Sequence, residues 1–273
     1  MRKRKIREAI LNLVLCLCAL IILVPVFMVI INSFKNGTEA ARMNLALPTT
    51  WHIAENYIEM VREGGIFRGL VNSTVITVIC VFFLIVLCST MAFVLERRKT
   101  CFSKVINMTV IFGLVLPLQI IPTYFVCNFL DLTHEIAAVF VLIVANMSFT
   151  VFLYTGFIKS IPIEIDESAW MDGASHTQLF FQIIFPLLQP VTITAVIINF
   201  MAVWNDFGIS IYFLNSARNY TLPLTVYNFF GNHNSDWQLV FANVVLSTLP
   251  VAVVYLMLQR HIISGMTSGA VKG

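Results

Sequence analysis

Residues 161–190, IPIEIDESAWMDGASHTQLFFQIIFPLLQP, form the longest run in the second half of the chain that cannot lie in lipid. The run holds Glu164, Asp166, Glu167 and Asp172, with one basic residue, Lys159, just before it. Apolar segments long enough to span a bilayer flank it on both sides. The run is therefore expected to be a structured loop at a membrane surface, and the chain an all-α integral membrane protein.

Read locally, the loop is two short helices with a break between them. Pro162 suits the first turn of a helix, where its missing N–H costs nothing. Glu164, Asp166 and Glu167 follow, and negative charge near a helix N-terminus is favoured by the helix dipole. Gly173 supplies a break or left-handed turn that a residue with a Cβ would resist. Ser175 and Gln178 have the spacing of a capping box and start a second helix. Leu179, Phe180, Ile183 and Ile184 give that helix an apolar face. Pro186 and Pro190 are expected to stop it and begin the next span. A merely solvated loop would not be expected to carry caps, a hinge glycine and an apolar stripe together.

Working outward, the 273 residues are 59 % hydrophobic and only 11 % charged, whereas soluble domains run near about 25 % charged. Six spans are expected, at about residues 9–31, 71–95, 105–130, 136–158, 191–213 and 239–259, in a single membrane domain. The basic start (Arg2, Lys3, Arg4, Lys5, Arg7) followed by a long apolar run reads as an uncleaved first span. Pro117 and Pro122 fall inside the third span, where neighbouring helices can re-satisfy the freed backbone groups. With the N-terminus inside, twelve of the seventeen Lys and Arg residues are cytoplasmic; Lys35, Arg42, Arg62, Arg68 and Arg218 are outside. That bias puts both termini and the 161–190 loop in the cytoplasm.

Net charge is only +3, so no nucleic-acid reading follows. Of the six cysteines, all but Cys101 lie in apolar runs and none forms a C-x-x-C pair; they read as small buried hydrophobes. The five histidines share no metal-ligand spacing. The tail from Gly265 to Lys272 lacks the G-x-x-x-x-G-K-[ST] order that cradles phosphates, so ATP chemistry would need another chain. Polar groups inside the spans are the remaining candidates: Gln119, Asn146, Asn199, Asn205, Asp206 and Asn243. Such residues mark a transport pathway or hydrogen-bond helix to helix, and the sequence leaves both readings open.

The loop resembles the EAA loop of ABC importer permeases, whose pattern is E-A-A-x3-G-x9-I-x-L-P. Glu167, Ser168, Ala169, Gly173, Ile183 and Pro186 fall at that spacing, with Asp172 and Ala174 beside the glycine. Ser168 replaces the first Ala and Phe185 replaces Leu. Trp204-Asn205-Asp206-Phe207, Thr221-Leu222-Pro223 and the end from Gln259-Arg260 through Gly265 to Gly273 resemble the carbohydrate branch, in particular the smaller permease of maltose-type importers. The resemblance implies a translocation path shared with a second homologous permease, two ATP-binding subunits beneath, and an extracytoplasmic solute-binding protein. It implies no cofactor in this chain, ATP and Mg²⁺ belonging to the partner ATPase, and no enzyme activity of its own. It further implies that Glu167 to Gly173 docks on an ATPase subunit, that segment 214–238 reaches the binding protein, and that the tail from Ser264 reaches the ATPase interface. An amino-acid or polyamine importer, a stand-alone secondary transporter and a membrane enzyme are the alternatives.

Overall fold

The computed structural model describes residues 2–132, 134–230 and 236–270. In order, the helices are α1 (Arg2–Asn32), α2 (Gly37–Ala40), α3 (Ile53–Glu63), α4 (Ile66–Arg97), α5 (Cys101–Val115), α6 (Ile120–Phe129), α7 (His134–Ile158), α8 (Glu164–Met171) and α9 (His176–Gln178). A π-helical turn, Leu179–Ile184, leads into α10 (Phe185–Leu187), α11 (Gln189–Trp204) and α12 (Ser210–Phe213). A 3₁₀ segment, Pro223–Phe229, precedes α13 (Trp237–Ala270). The fold is all-α, with no β-strand among the described residues.

Among the described residues, four helices are long and apolar enough to cross a membrane: Leu11–Asn32, Ile66–Arg97, His134–Ile158 and Trp237–Met257. A fifth crossing results if the pair His176–Leu187 and Gln189–Trp204, bent by 77°, counts as one. The expected third span is divided at residues 116–119. Pro117 disfavours the α region at the residue before it, and Leu116 is extended, with ψ at 119°. Pro122, by contrast, sits in the first turn of α6, where no helical N–H is lost. The expected fifth span likewise stops early, at Trp204, because the Asp206 carboxylate takes the backbone N–H groups of Ile209 and Ser210. At the other end of the chain α13 continues past Gln259 to Ala270.

The chain forms two compact units. In the larger, Arg68–Leu224 with Pro250–Gly273, α7 packs against α5 and α11. Along α4, Cys80, Leu84, Cys88 and Ala92 recur at four-residue steps and are fully buried. Small residues on this face let backbones approach closely; the Cys80 and Cys88 thiols donate to the Val139 and Met147 carbonyls of α7. Cys127 is buried as well, whereas Cys16 and Cys18 are exposed because they lie on α1, whose apolar residues are nearly all uncovered. At the other end of α4, Asn72 donates to the Arg218 and Tyr220 carbonyls and Ser73 Oγ accepts from Leu222 N–H.

The smaller unit, Met1–Phe67 with Thr225–Leu249, is held by polar groups rather than by a large apolar core. Lys35 is 1 % exposed. Its ammonium donates to Asn32 Oδ1, Asn44 Oδ1 and the Asn44 carbonyl at 2.9–3.0 Å, so all three donors are used. The Asn56 amide donates to the Ser33 and Lys35 carbonyls, closing the knot. Asn228 ties Pro223–Phe229 to the Gly64 carbonyl.

Candidate functional site

The loop between α7 and α11 is built around an elbow, and each part of it follows from a local residue choice. α8 starts at Glu164, two residues later than Pro162 alone suggests, after a tight turn in which Ile165 and Asp166 donate to the Pro162 and Ile163 carbonyls. The three acidic residues then occupy its first turn. α8 ends in a Schellman motif: Gly173 N–H donates to the Trp170 carbonyl and Ala174 N–H to the Ala169 carbonyl, both at 3.0 Å. Gly173 has φ +83°, the left-handed conformation this motif needs. The capping box follows at once, with Gln178 N–H donating to Ser175 Oγ and Ser175 N–H donating to Gln178 Oε1.

The second limb is not a plain α-helix. Leu179–Ile184 is π-helical and leads straight to Pro186. Proline removes one helical hydrogen bond and its ring crowds the carbonyl four residues back; widening the preceding turn relieves that clash and keeps the limb continuous to Leu187. Pro186 therefore does not stop this helix, and the bend falls at Leu188, after which Pro190 opens α11. Leu179, Phe180 and Ile184 are buried and Ile183 half-buried, as the apolar stripe requires.

Burial sorts the loop residues into two faces. Ala169 is 5 % exposed, and Asp166 is turned inward at 1 %. Glu167, Ser168, Asp172 and Gly173 are exposed, Ala174 is half-buried, and Ser168 Oγ donates to the Ile165 carbonyl. Trp170 and Met171 are 50 % and 89 % exposed beside these charges. The outer face thus carries two acidic residues, Glu167 and Asp172, next to large uncovered apolar side chains, the composition of an interaction patch.

The inward Asp166 is the loop residue whose long-range partner local reading misses. Its carboxylate receives two hydrogen bonds from the Arg97 guanidinium, at 2.8 Å from Nε and 3.2 Å from Nη2. Nη2 also donates to the Ile161 carbonyl at 3.1 Å. A cleft of ≈ 340 Å³ opens beside this pair, walled by Phe93, Trp170, Phe180 and Phe181.

The polar residues of the apolar helices have specific partners. Asn199 is 2 % exposed; its amide donates to Thr150 Oγ1 on α7 at 3.0 Å and to the Ala195 carbonyl. Asn146 donates back to Leu142 on its own helix. Asn205 is the exposed C-terminal cap of α11, and the Asp206 carboxylate accepts from Ile209 N–H, Ser210 N–H and Ser210 Oγ at the start of α12. Gln119 caps α6 without a side-chain cap bond and donates weakly to the Pro117 carbonyl at 3.4 Å. In the smaller unit Asn243 is 1 % exposed, donates to Thr225 Oγ1 at 2.7 Å and accepts from Ser247.

Apolar helices of crossing length and a capped elbow with one buried and one exposed face define the class as a multi-pass membrane protein. The chain belongs to the family described as the binding-protein-dependent transport system inner membrane component, whose model matches residues 85–268. It is a multi-pass protein of the cytoplasmic membrane and a transport component rather than an enzyme. It is 30 % identical over 274 residues, with 100 % of both chains covered, to a probable starch degradation products transport system permease of Thermoanaerobacterium thermosulfurigenes. It is 34 % identical to the melibiose/raffinose/stachyose import permease of Bacillus subtilis, over 92 % of this chain and 91 % of that one. It is 33 % identical to a multiple sugar-binding transport system permease of Streptococcus mutans, over 93 % of each. The fold is similar to a chain of a bacterial ABC transporter involved in alginate import, with TM-score 0.79, 21 % identity, and 95 % and 98 % of the two chains covered.

Proposed function

We propose that this chain is the permease subunit of an ATP-driven ABC importer for a sugar or oligosaccharide. The observation that carries the reading is the capped elbow, Glu164 to Leu187, on a chain that aligns over nine tenths or more of its length with sugar-transport permeases. In this reading a second homologous permease completes the path, two ATPase subunits hold ATP and Mg²⁺, and an extracytoplasmic binding protein delivers the cargo.

Six crossings follow if two broken helices each count once. α5 has 15 residues and α11 has 16, about 22–24 Å of helix at 1.5 Å per residue, against a hydrocarbon core of about 30 Å. α5 with α6, and α11 with α12, supply the missing length. His176–Leu187 then lies along the cytoplasmic surface, and the 77° bend turns the chain into the membrane. The Lys and Arg bias supports this orientation, with both termini inside.

The exposed face, Glu167, Ser168, Asp172 and Gly173, docks on an ATPase subunit, while Ala169, Ala174, Ile183 and Pro186 hold the elbow in shape. Gln119, Asn146, Asn199, Asn205, Asp206 and Asn243 are the candidate pathway residues, with helix-to-helix bonding or capping the competing role. Segment 214–238 reaches toward the binding protein; its residues 231–235 lie outside the described residues, as do residues 271–273 of the tail proposed to meet the ATPase.

Proteoliposomes carrying the complete set of subunits test the reading. ATP inside should drive uptake of a sugar that the cognate binding protein selects from a panel including melibiose and raffinose. Uptake by the chain alone on an ion gradient, or a binding protein that takes an amino acid or polyamine instead, would overturn it.

A further inference from the structure

The elbow is covalently joined only to α7 and α11, yet it is also gripped by a third helix from far away in sequence. Two residues on one face of the last turns of α4 do this. Arg97 holds the first limb, through Asp166 of α8 and the Ile161 carbonyl. Phe93, four residues earlier and so on the same helix face, packs its ring against Phe180 of the second limb, with centroids 5.4 Å apart. The contacts fall on opposite sides of Gly173, so α4 braces both limbs at once.

The chemistry of the polar contact is unusual for a surface loop. The Asp166 side chain is 2 % exposed and that of Arg97 14 %. A surface ion pair contributes little and tolerates slack, but a largely covered, two-point guanidinium–carboxylate pair fixes both distance and orientation. Arg98, the next residue, is exposed, so positive charge alone at this membrane face does not require Arg97 to be turned inward and partly covered.

We propose that Arg97 and Asp166 are positioning residues for energy coupling: they make the cytoplasmic end of α4 and the elbow move as one piece, so that displacement of the docked loop is delivered to α4 as well as to α7 and α11. The proposal rests on the importer reading above. Packed elements switch between discrete arrangements rather than deform continuously, so a lever joined to α4 by a rigid pair passes on a displacement that a slack contact would absorb. The pair touches neither ATP nor cargo and acts through the loop.

The test uses the complete importer in proteoliposomes, with wild type, Arg97→Gln, Asp166→Asn and the exchange Arg97→Asp/Asp166→Arg. Two quantities are read: sugar imported per ATP hydrolysed, with labelled raffinose as the probe, and the distance between spin labels at positions 99 and 164 with and without Mg-ATP plus vanadate. Each single variant should assemble with its ATPase, keep hydrolysing ATP, and lose import per ATP by about 5- to 150-fold, the usual span of coupling between sites. Its label distance should become broad and nucleotide-dependent where the wild type keeps one distance, and the exchange should restore both readouts at least in part. Asp166→Asn with wild-type import per ATP and wild-type label distances would overturn the proposal. So would loss of assembly in all three variants, which would make the pair a folding contact. If wild-type vesicles fail to take up raffinose or any other sugar, the carbohydrate reading falls by itself, and the label distances still decide for or against the joint.

Discussion

Gly173 is the position at which the elbow can be perturbed most cleanly. Its φ of +83° is a conformation that side chains with a Cβ resist, yet a methyl group built on it would have no heavy atom within 4 Å. Within this chain the cost of substitution is therefore backbone strain, about 1–2 kcal/mol for alanine. That is a factor of about 5–30 in the population holding both Schellman bonds. Asparagine, which visits the left-handed region more readily, should lose least, alanine more, and valine most. Gly173→Asp adds a carboxylate beside Asp172 at a helix C-terminus, where the dipole disfavours it, and should abolish uptake while the protein still inserts. The assay is ATP-driven uptake in cells, normalised to the amount of permease in the membrane, with limited proteolysis of residues 161–190 as a measure of loop order. Uptake that is unchanged across the series, or that follows side-chain size instead of left-handed preference, would refute the reasoning.

Three further outcomes follow from particular contacts. Asn199→Ala combined with Thr150→Val should give a coupling energy of about 0.6–1.7 kcal/mol in a double-mutant thermal-stability cycle, typical of hydrogen bonds between membrane helices; a shifted KM for uptake without a stability change would instead put Asn199 in the path. Asp206→Ala should cost about 1 kcal/mol by removing the acceptor of the Ile209 and Ser210 N–H groups, and Asp206→Ser should recover most of it; equal thermal stability of the two variants would argue against that role. Burial pushes the Lys35 ammonium below its usual 10.5, with the nearby Glu39 charge opposing. Because the unfolded chain then holds that proton more tightly, stability should rise as pH climbs through the lowered folded value toward 10.5. Lys35→Met should remove that rise and cost about 1–3 kcal/mol for each acceptor left unsatisfied, as melting temperatures between neutral pH and pH 10.5 would report.

What could be read from the chain was what is local. Gly173, the Ser175–Gln178 box and the stripe from Leu179 to Ile184 each signal their structure within a few residues, and the two-limb loop is as their chemistry requires. The division at Leu116 was legible too, since a proline biases the residue before it toward extended backbone, but long apolar composition outweighs a single proline when spans are counted. The shortened fifth helix turns on Asp206, whose side chain competes for backbone donors that the apolar pattern assigns to a continuing helix. The π-turn before Pro186 answers a clash that depends on the limb staying continuous, which composition does not state. The Arg97–Asp166 pair joins residues 69 positions apart. Each charge has a sufficient local explanation, dipole complement for one and inside-positive bias for the other, so nothing in the sequence calls for a partner.

The most direct test of the lever is cross-linking from position 167, with Glu167 replaced by a photoreactive residue in the assembled importer in intact cells. A bond to the ATPase subunit whose yield changes when Mg-ATP and vanadate trap the complex is the result the elbow requires. Labelling of residues 161–190 by an impermeant reagent added outside the cell, with no ATPase adduct, would contradict it.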